Sequence, residues 1–133
     1  MQKVEHIGIA VRDLEQANQL YTLLLGTGPY KTEQVSSESV VTSFFRSGET
    51  KIELLAPTDA TSVIATFIQK KGEGMHHIAF AVEDILAEMQ RLKLAGFTLL
   101  SDTPKLGADN KLICFVHPKE THGVLIELCQ ERS

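Results

Sequence analysis

Two histidines and two glutamates in this chain have the types and spacing to do chemistry. His6 stands in Glu-His-Ile-Gly-Ile-Ala-Val-Arg-Asp (5–13), and His77 in His-His-Ile-Ala-Phe-Ala-Val-Glu-Asp (76–84). The two stretches match at an offset of 71 positions (77 − 6). Glu53 lies in Thr-Lys-Ile-Glu-Leu-Leu (50–55) and Glu127 in Val-Leu-Ile-Glu-Leu-Cys (124–129), 74 positions apart (127 − 53). Taken singly, a histidine in an apolar strand is usually a hydrogen-bonded core residue, and a strand glutamate is usually solvated. A carboxylate among Val124, Leu125, Ile126 and Leu128, however, is costly unless it is paired or bound to a cation. Four such residues at equivalent places in two copies point to a metal. Placed across a pseudo-twofold axis, they would form an N₂O₂ ligand set. Imidazole with carboxylate suits Mn, Co, Ni, Zn or Fe, and does not suit Ca or Cu(I).

Positioning these ligands requires strands. Residues 3–11 are β-branched and alternate, so His6, Gly8 and Ala10 share one face while Ile7, Ile9 and Val11 share the other. The histidine is followed on its face by two small residues, which leaves room above it. His77, Ala79 and Ala81 repeat the arrangement, and His76 points the opposite way. Asp13 is a plausible N-cap for a helix at about 14–25, with Leu14, Ala17, Leu20, Tyr21 and Leu24 on one side and Gly26 ending it. Strands are expected at 30–35, 39–46 and 50–55, the last broken by Pro57, with Lys51, Glu53 and Leu55 on one face. The second half repeats the order: a strand at 75–82, a helix at 84–95 capped by Asp84, then strands at 97–100, 111–116 and 123–129. Between 101 and 110 lies the longest irregular stretch.

Each half thus reads β-α-β-β-β. The expected fold is α+β: two tandem βαβββ modules forming one curved mixed sheet around a metal site. A unit of about 60–70 residues buries too little surface to stand alone, so residues 1–133 are expected to form one domain. Its parts are repeat 1 at about 3–56, a linker helix within about 57–74, and repeat 2 at about 75–130.

A formal charge of −4 and a pI near 5.7 argue against nucleic acid or an anionic membrane as partner. No apolar run approaches the roughly 18 residues of a membrane span. The N-terminus enters a strand pattern directly, with no signal peptide. Cys114 and Cys129 lack metal or redox spacing and read as buried free thiols in a reducing cytoplasm. Gly72-Glu73-Gly74 is no phosphate loop, since no Gly-Lys-Ser/Thr follows. His117 and His122 flank a loop and read as solvent-exposed before catalytic, and Lys105, Lys111 and Lys119, in or beside the last two loops, read as solvated lysines before contacts to substrate phosphates.

With these residues in hand, the chain resembles the vicinal oxygen chelate superfamily, and within it the methylmalonyl-CoA epimerases. The resemblance covers nearly the whole chain. Glu-His-Ile-Gly-Ile-Ala-Val, Thr-Lys-Ile-Glu-Leu-Leu-Ala-Pro and Gly-Met-His-His-Ile-Ala-Phe are shared across the superfamily. Pro-Lys-Leu-Gly-Ala and His-Pro-Lys-Glu-Thr-His-Gly-Val-Leu-Ile-Glu-Leu are more particular to the epimerases. The resemblance implies a divalent metal, Co²⁺ or Mn²⁺ before Zn²⁺ or Ni²⁺, held by His6, Glu53, His77 and Glu127. It also implies a homodimer, an acyl-CoA substrate, and Glu127 as an acid/base at C2 of methylmalonyl-CoA. The position of Glu53 is Gln in some members. Some relatives carry a second glutamate where Thr42 stands here, and the run Val40–Phe45 contains no carboxylate.

Three other activities share the fold. A glyoxalase I-like lactoylglutathione lyase uses the same four ligands but tends to carry an inward Arg four residues after the first His, where this chain has Ala10. A ring-cleaving dioxygenase wants two His and one carboxylate, which Glu53 argues against. A metal-free drug-binding protein has no use for the four ligand types kept here.

Overall fold

The alternation that begins near the N-terminus becomes strand β1 (Val4–Ala10). In the computed structural model, which describes residues 1–132, helix α1 (Leu14–Leu25) follows directly. The Asp13 carboxylate accepts from the Gln16 amide at 3.1 Å, and Gly26 closes the helix in the left-handed conformation at φ 82°. A C-cap there needs a residue without a Cβ penalty.

Next come β2 (Lys31–Val35), β3 (Val40–Ser47) and β4 (Thr50–Pro57), then helix α2 (Val63–Lys71). Ser62 caps α2 through its hydroxyl, which accepts from the Ile64 amide. The second copy supplies β5 (Gly74–Ala81), helix α3 (Ile85–Leu94), β6 (Lys105–Leu106), β7 (Lys111–Val116) and β8 (Ile126–Glu131). Asp84 caps α3 as Asp13 caps α1, accepting from the Ala87 amide at 3.1 Å. Each such cap is worth about 1 kcal/mol.

The chain folds as two compact units. One is residues 6–76; the other is Met1–Glu5 together with the chain from His77 onward. In the first, β2 and β3 pair antiparallel, β3 and β4 pair antiparallel, and β4 pairs parallel with β1. In the second, β5 pairs parallel with β8, β8 antiparallel with β7, and β7 antiparallel with β6. Gln2 and Lys3 also hydrogen-bond with Ala81 in that unit.

Each unit buries apolar side chains on one face of its strands against a helix. In the first, Val11, Phe45, Leu54 and Ala56 pack with Leu14, Ala17, Tyr21 and Leu25 of α1. In the second, Cys114, Val116 and Leu128 pack with Ile85, Met89 and Leu92 of α3. Helix α2 covers part of the opposite face of the first unit, with Ile64 and Ile68 against Ala10, Val40 and Leu55.

Several elements depart from expectation. Leu20 and Leu24 are exposed; the buried stripe of α1 is Leu14, Ala17, Tyr21 and Leu25. Glu15, Gln16, Asn18, Gln19 and Thr22 make one side polar, but the apolar side is wider than its contact with the strands, and Leu20 and Leu24 fall beyond the stripe spaced 3-4-4. Strand β4 runs on to Pro57, paired with Val40 of β3, because its parallel pairing with β1 ends at Ala10 and Leu55 and the missing N–H of proline breaks no bond on that side. No strand forms at 97–100: Phe97 and Leu99 pack on the core, and a single bridge joins Leu99 to Val116. The extra strand is instead β6, inside the stretch expected to be irregular. The final strand starts at Ile126, after a turn in which His122 (φ 56°) and Gly123 (φ 86°) are both left-handed.

Candidate metal centre

Each unit brings its own histidine and glutamate together. His6 Nδ1 lies 3.1 Å from Glu53 Oε2, and His77 Nε2 lies 3.1 Å from Glu127 Oε1. All four residues are buried, at 4–6% exposure. The arrangement follows from register. Gly8 pairs with Glu53 and Ala79 with Glu127, so each histidine sits two residues back along its strand, on the same face, and leans diagonally onto the carboxylate. Paired residues project to the same face with Cβ atoms roughly 4.5–5.5 Å apart. The lateral neighbour of each glutamate is therefore a side chain of one carbon or none. That is why the first small residue after each histidine matters; the second, Ala10 or Ala81, pairs with Leu55 or Cys129 instead.

On its other side each glutamate pairs with a phenylalanine: Phe44 with Glu53, and Phe115 with Glu127. The Phe115 ring stands edge-on to His77, with ring centroids 5.9 Å apart at 90°. Phe44 is fully buried. These rings wall the carboxylates off from water, which strengthens any charge interaction made there. The two phenylalanines were not singled out as site residues in the sequence, although Phe115 follows Phe44 by the same 71 positions (115 − 44) that separate the histidines.

The donor set fits a divalent cation. Two buried imidazole–carboxylate pairs offer nitrogen and oxygen lone pairs, and such ligands bind with the imidazole neutral and the carboxylate ionised. In the absence of a cation the imidazole satisfies the carboxylate by hydrogen bonding, which keeps a buried charge tolerable.

The remaining candidates do other work. His117 Nδ1 accepts from the Lys119 amide at 3.1 Å and caps the short turn Pro118–Glu120, while His122 is exposed. Cys114 and Cys129 are buried thiols not joined in a disulfide; Cys129 Sγ donates to the Phe80 carbonyl at 3.6 Å. Lys105 and Lys119 are exposed. Lys111, expected to be solvated, is buried, with Nζ 3.9 Å from Asp109 Oδ2. It begins β7 on the face that carries the half-buried Ile113 and Phe115.

A model of the Glyoxalase/Bleomycin resistance protein/Dioxygenase superfamily matches residues 5–115. The chain belongs to that superfamily. The ethylmalonyl-CoA/methylmalonyl-CoA epimerase of Cereibacter sphaeroides is 43% identical over 130 residues, 96% of this chain and 97% of that protein. The crystal structure of methylmalonyl-CoA epimerase from Mycobacterium tuberculosis matches with a TM-score of 0.92 at 36% identity, over 98% of this chain and 88% of that one. A methylmalonyl-CoA epimerase solved in complex with methylmalonyl-CoA and NH4+ matches with a TM-score of 0.93 at 32% identity, over 100% of this chain and 96% of that one. The fold class of this superfamily member is therefore α+β, built of two βαβββ modules, as the internal repeat implied.

Proposed function

We propose that this chain is a metal-dependent epimerase interconverting (R)- and (S)-methylmalonyl-CoA. His6, Glu53, His77 and Glu127 serve as ligands of one divalent cation, Co²⁺ or Mn²⁺ before Zn²⁺ or Ni²⁺. The observation that carries this reading is the matched pair of buried His–carboxylate contacts at 3.1 Å, each set between a phenylalanine and a residue with almost no side chain. The acyl-CoA substrate rests on the likeness to the epimerases.

Epimerisation removes the proton at C2, between a thioester and a carboxylate, and returns one to the opposite face. A divalent cation bound there would supply Lewis-acid stabilisation of the negative charge that develops on the substrate oxygens. The chain's own contribution begins with Phe44 and Phe115, which keep the surroundings of the carboxylates dry. Glu127 exchanges a proton with C2 on one face, within the usual 10²–10⁴-fold range of general acid–base catalysis. The small residues Gly8 and Ala79 keep the space beside each carboxylate clear.

The glutathione-dependent lyase reading is weaker on this chain. Ala10 is fully buried against Leu55, Ile64 and Ile68, so an apolar contact stands where a carboxylate-directed arginine is expected. Residues 1–133 act as one domain, and the working protein is a cytoplasmic homodimer.

The test is to incubate purified protein with one enantiomer of methylmalonyl-CoA and to follow the other with a stereospecific mutase. Metal-loaded protein should convert it, and chelator-stripped protein should not. His77→Ala should lose metal binding and activity together. Turnover by metal-free His77→Ala would sink the mechanism.

A further inference from the structure

The two copies of the repeat part company at one place that the candidate metal ligands do not explain. In the first unit the Phe44 ring, beside Glu53, packs on Tyr30 with ring centroids 6.1 Å apart. The Arg46 guanidinium lies over the Tyr30 ring, 4.2 Å from its centroid, and Lys31 Nζ lies over Phe44 at 4.8 Å. Two packed rings thus carry a cation each. Lys51, the direct partner of Arg46 across the β3–β4 ladder, adds a third. Alternation puts Phe44, Arg46, Lys51 and Glu53 on one face of these strands. Tyr30 and Arg46 are exposed, and Lys31 and Lys51 half-buried. The second copy has no lysine or arginine at the matching places. Arg46 corresponds to His117 at the 71-position offset and Lys51 to Leu125 at the 74-position offset. The Leu100 amide donates to the Phe115 carbonyl as the Tyr30 amide does to the Phe44 carbonyl, so Leu100 and Ser101 stand where Tyr30 and Lys31 do. In a chain of formal charge −4, these three cations form a local excess. The acidic groups nearest them in the chain are Glu33, 3.5 Å from Lys31 Nζ, and Glu49 in the β3–β4 turn.

We propose, building on the epimerase reading, that Tyr30, Lys31 and Arg46 form the subsite for the nucleotide end of the CoA thioester. The reacting end of that substrate is small. Its far end carries adenine, ribose, a diphosphate and a 3′-phosphate, which makes it a polyanion joined to a planar base. Guanidinium and ammonium groups pair with phosphate oxygens. An exposed tyrosine with a guanidinium over it offers a flat, cationic surface on which a base can stack. Arg46 is separated from Glu53 by the Phe44 and Tyr30 rings in succession. The subsite therefore lies out from the carboxylate, as a substrate with a long pantetheine arm requires. A substrate charged at one end only needs such a subsite in one copy, which accounts for the break in the repeat at these positions.

The experiment measures kcat/KM for C2 hydrogen exchange in D₂O on two substrates, methylmalonyl-CoA and methylmalonyl-pantetheine, which lacks the nucleotide and its phosphates. Wild type should prefer the CoA thioester. In the double variant Lys31→Gln/Arg46→Gln that preference should fall by about tenfold, since each exposed charge pair contributes up to about fivefold. High salt should reduce the preference of wild type more than that of the variant. Lys70→Gln/Lys71→Gln removes the same charge from the exposed end of α2 and should keep the preference within about twofold of wild type. A merely structural role for Lys31 and Arg46 would slow both substrates alike and leave the preference as in wild type, and that result overturns the inference. Wild type without a preference overturns it too, as does an equal loss in the Lys70/Lys71 variant; each of these outcomes leaves the epimerase reading intact. Wild type that exchanges neither substrate overturns that reading and this inference with it.

Discussion

Ala79 is where the geometry of the centre can be pressed hardest. It is fully buried, lies two residues after His77, and pairs directly with Glu127. Ala79→Val adds two methyl groups at a position roughly 4.5–5.5 Å from the Glu127 Cβ. Overfilling a packed site costs about 1–3 kcal/mol. Unfolding entropy of about 2.1 cal/mol/K per residue gives roughly 0.28 kcal/mol/K for 133 residues. The melting temperature of the chelator-treated protein should therefore fall by about 4–11 °C. The added methyls also press on the carboxylate, so metal affinity should weaken by about 10–100-fold, the range for groups that hold metal ligands in place. Calorimetric melting with chelator and isothermal titration with Co²⁺ measure the two effects. Ala95→Val, at the exposed end of α3, is the control and should change stability by less than about 0.5 kcal/mol. An Ala79→Val protein that melts and binds Co²⁺ as wild type does would refute the claim that this small residue holds the space beside Glu127.

Other substitutions and probes test separate parts of the account. Glu127→Gln should lower kcat by about 100-fold or more while changing KM much less, as steady-state kinetics on metal-saturated protein would reveal. Leu128 is fully buried at the centre of the second unit's core, so Leu128→Ala should cost about 2–5 kcal/mol, read from urea unfolding. Burial pushes the Cys114 thiol up from its ordinary value, which leaves less thiolate at any given pH. Native protein should therefore react with iodoacetamide at Cys114 only slowly near pH 8, faster as pH rises, and rapidly once unfolded. Mass spectrometry of the labelled peptide reports this.

The sequence made the strands of each repeat legible because the same pattern occurs twice. His6 and His77, with the small residues after them, set the face and period of β1 and β5. Asp13 and Asp84 placed the starts of α1 and α3, since a carboxylate at that position satisfies an amide that the helix leaves unpaired. What was not legible depended on tertiary packing. The apolar surface of α1 offers more leucines than its contact uses, so Leu20 and Leu24 were expected inside and lie outside. Phe97 and Leu99 have strand composition but are held by side-chain packing with one bridge. Register, too, is not written in spacing. Gly8, Phe44, Ala79 and Phe115 acquire their roles only when strands pair, because the neighbours of a carboxylate are then residues far away in the chain.

The central claim is that the buried His–carboxylate pairs serve proton removal at C2 of methylmalonyl-CoA. It is tested most directly by proton NMR of that substrate in D₂O, with metal-loaded and with chelator-stripped protein. The account predicts loss of the C2 proton signal far above background with metal-loaded protein, and background exchange alone after stripping. Background exchange under both conditions would contradict it.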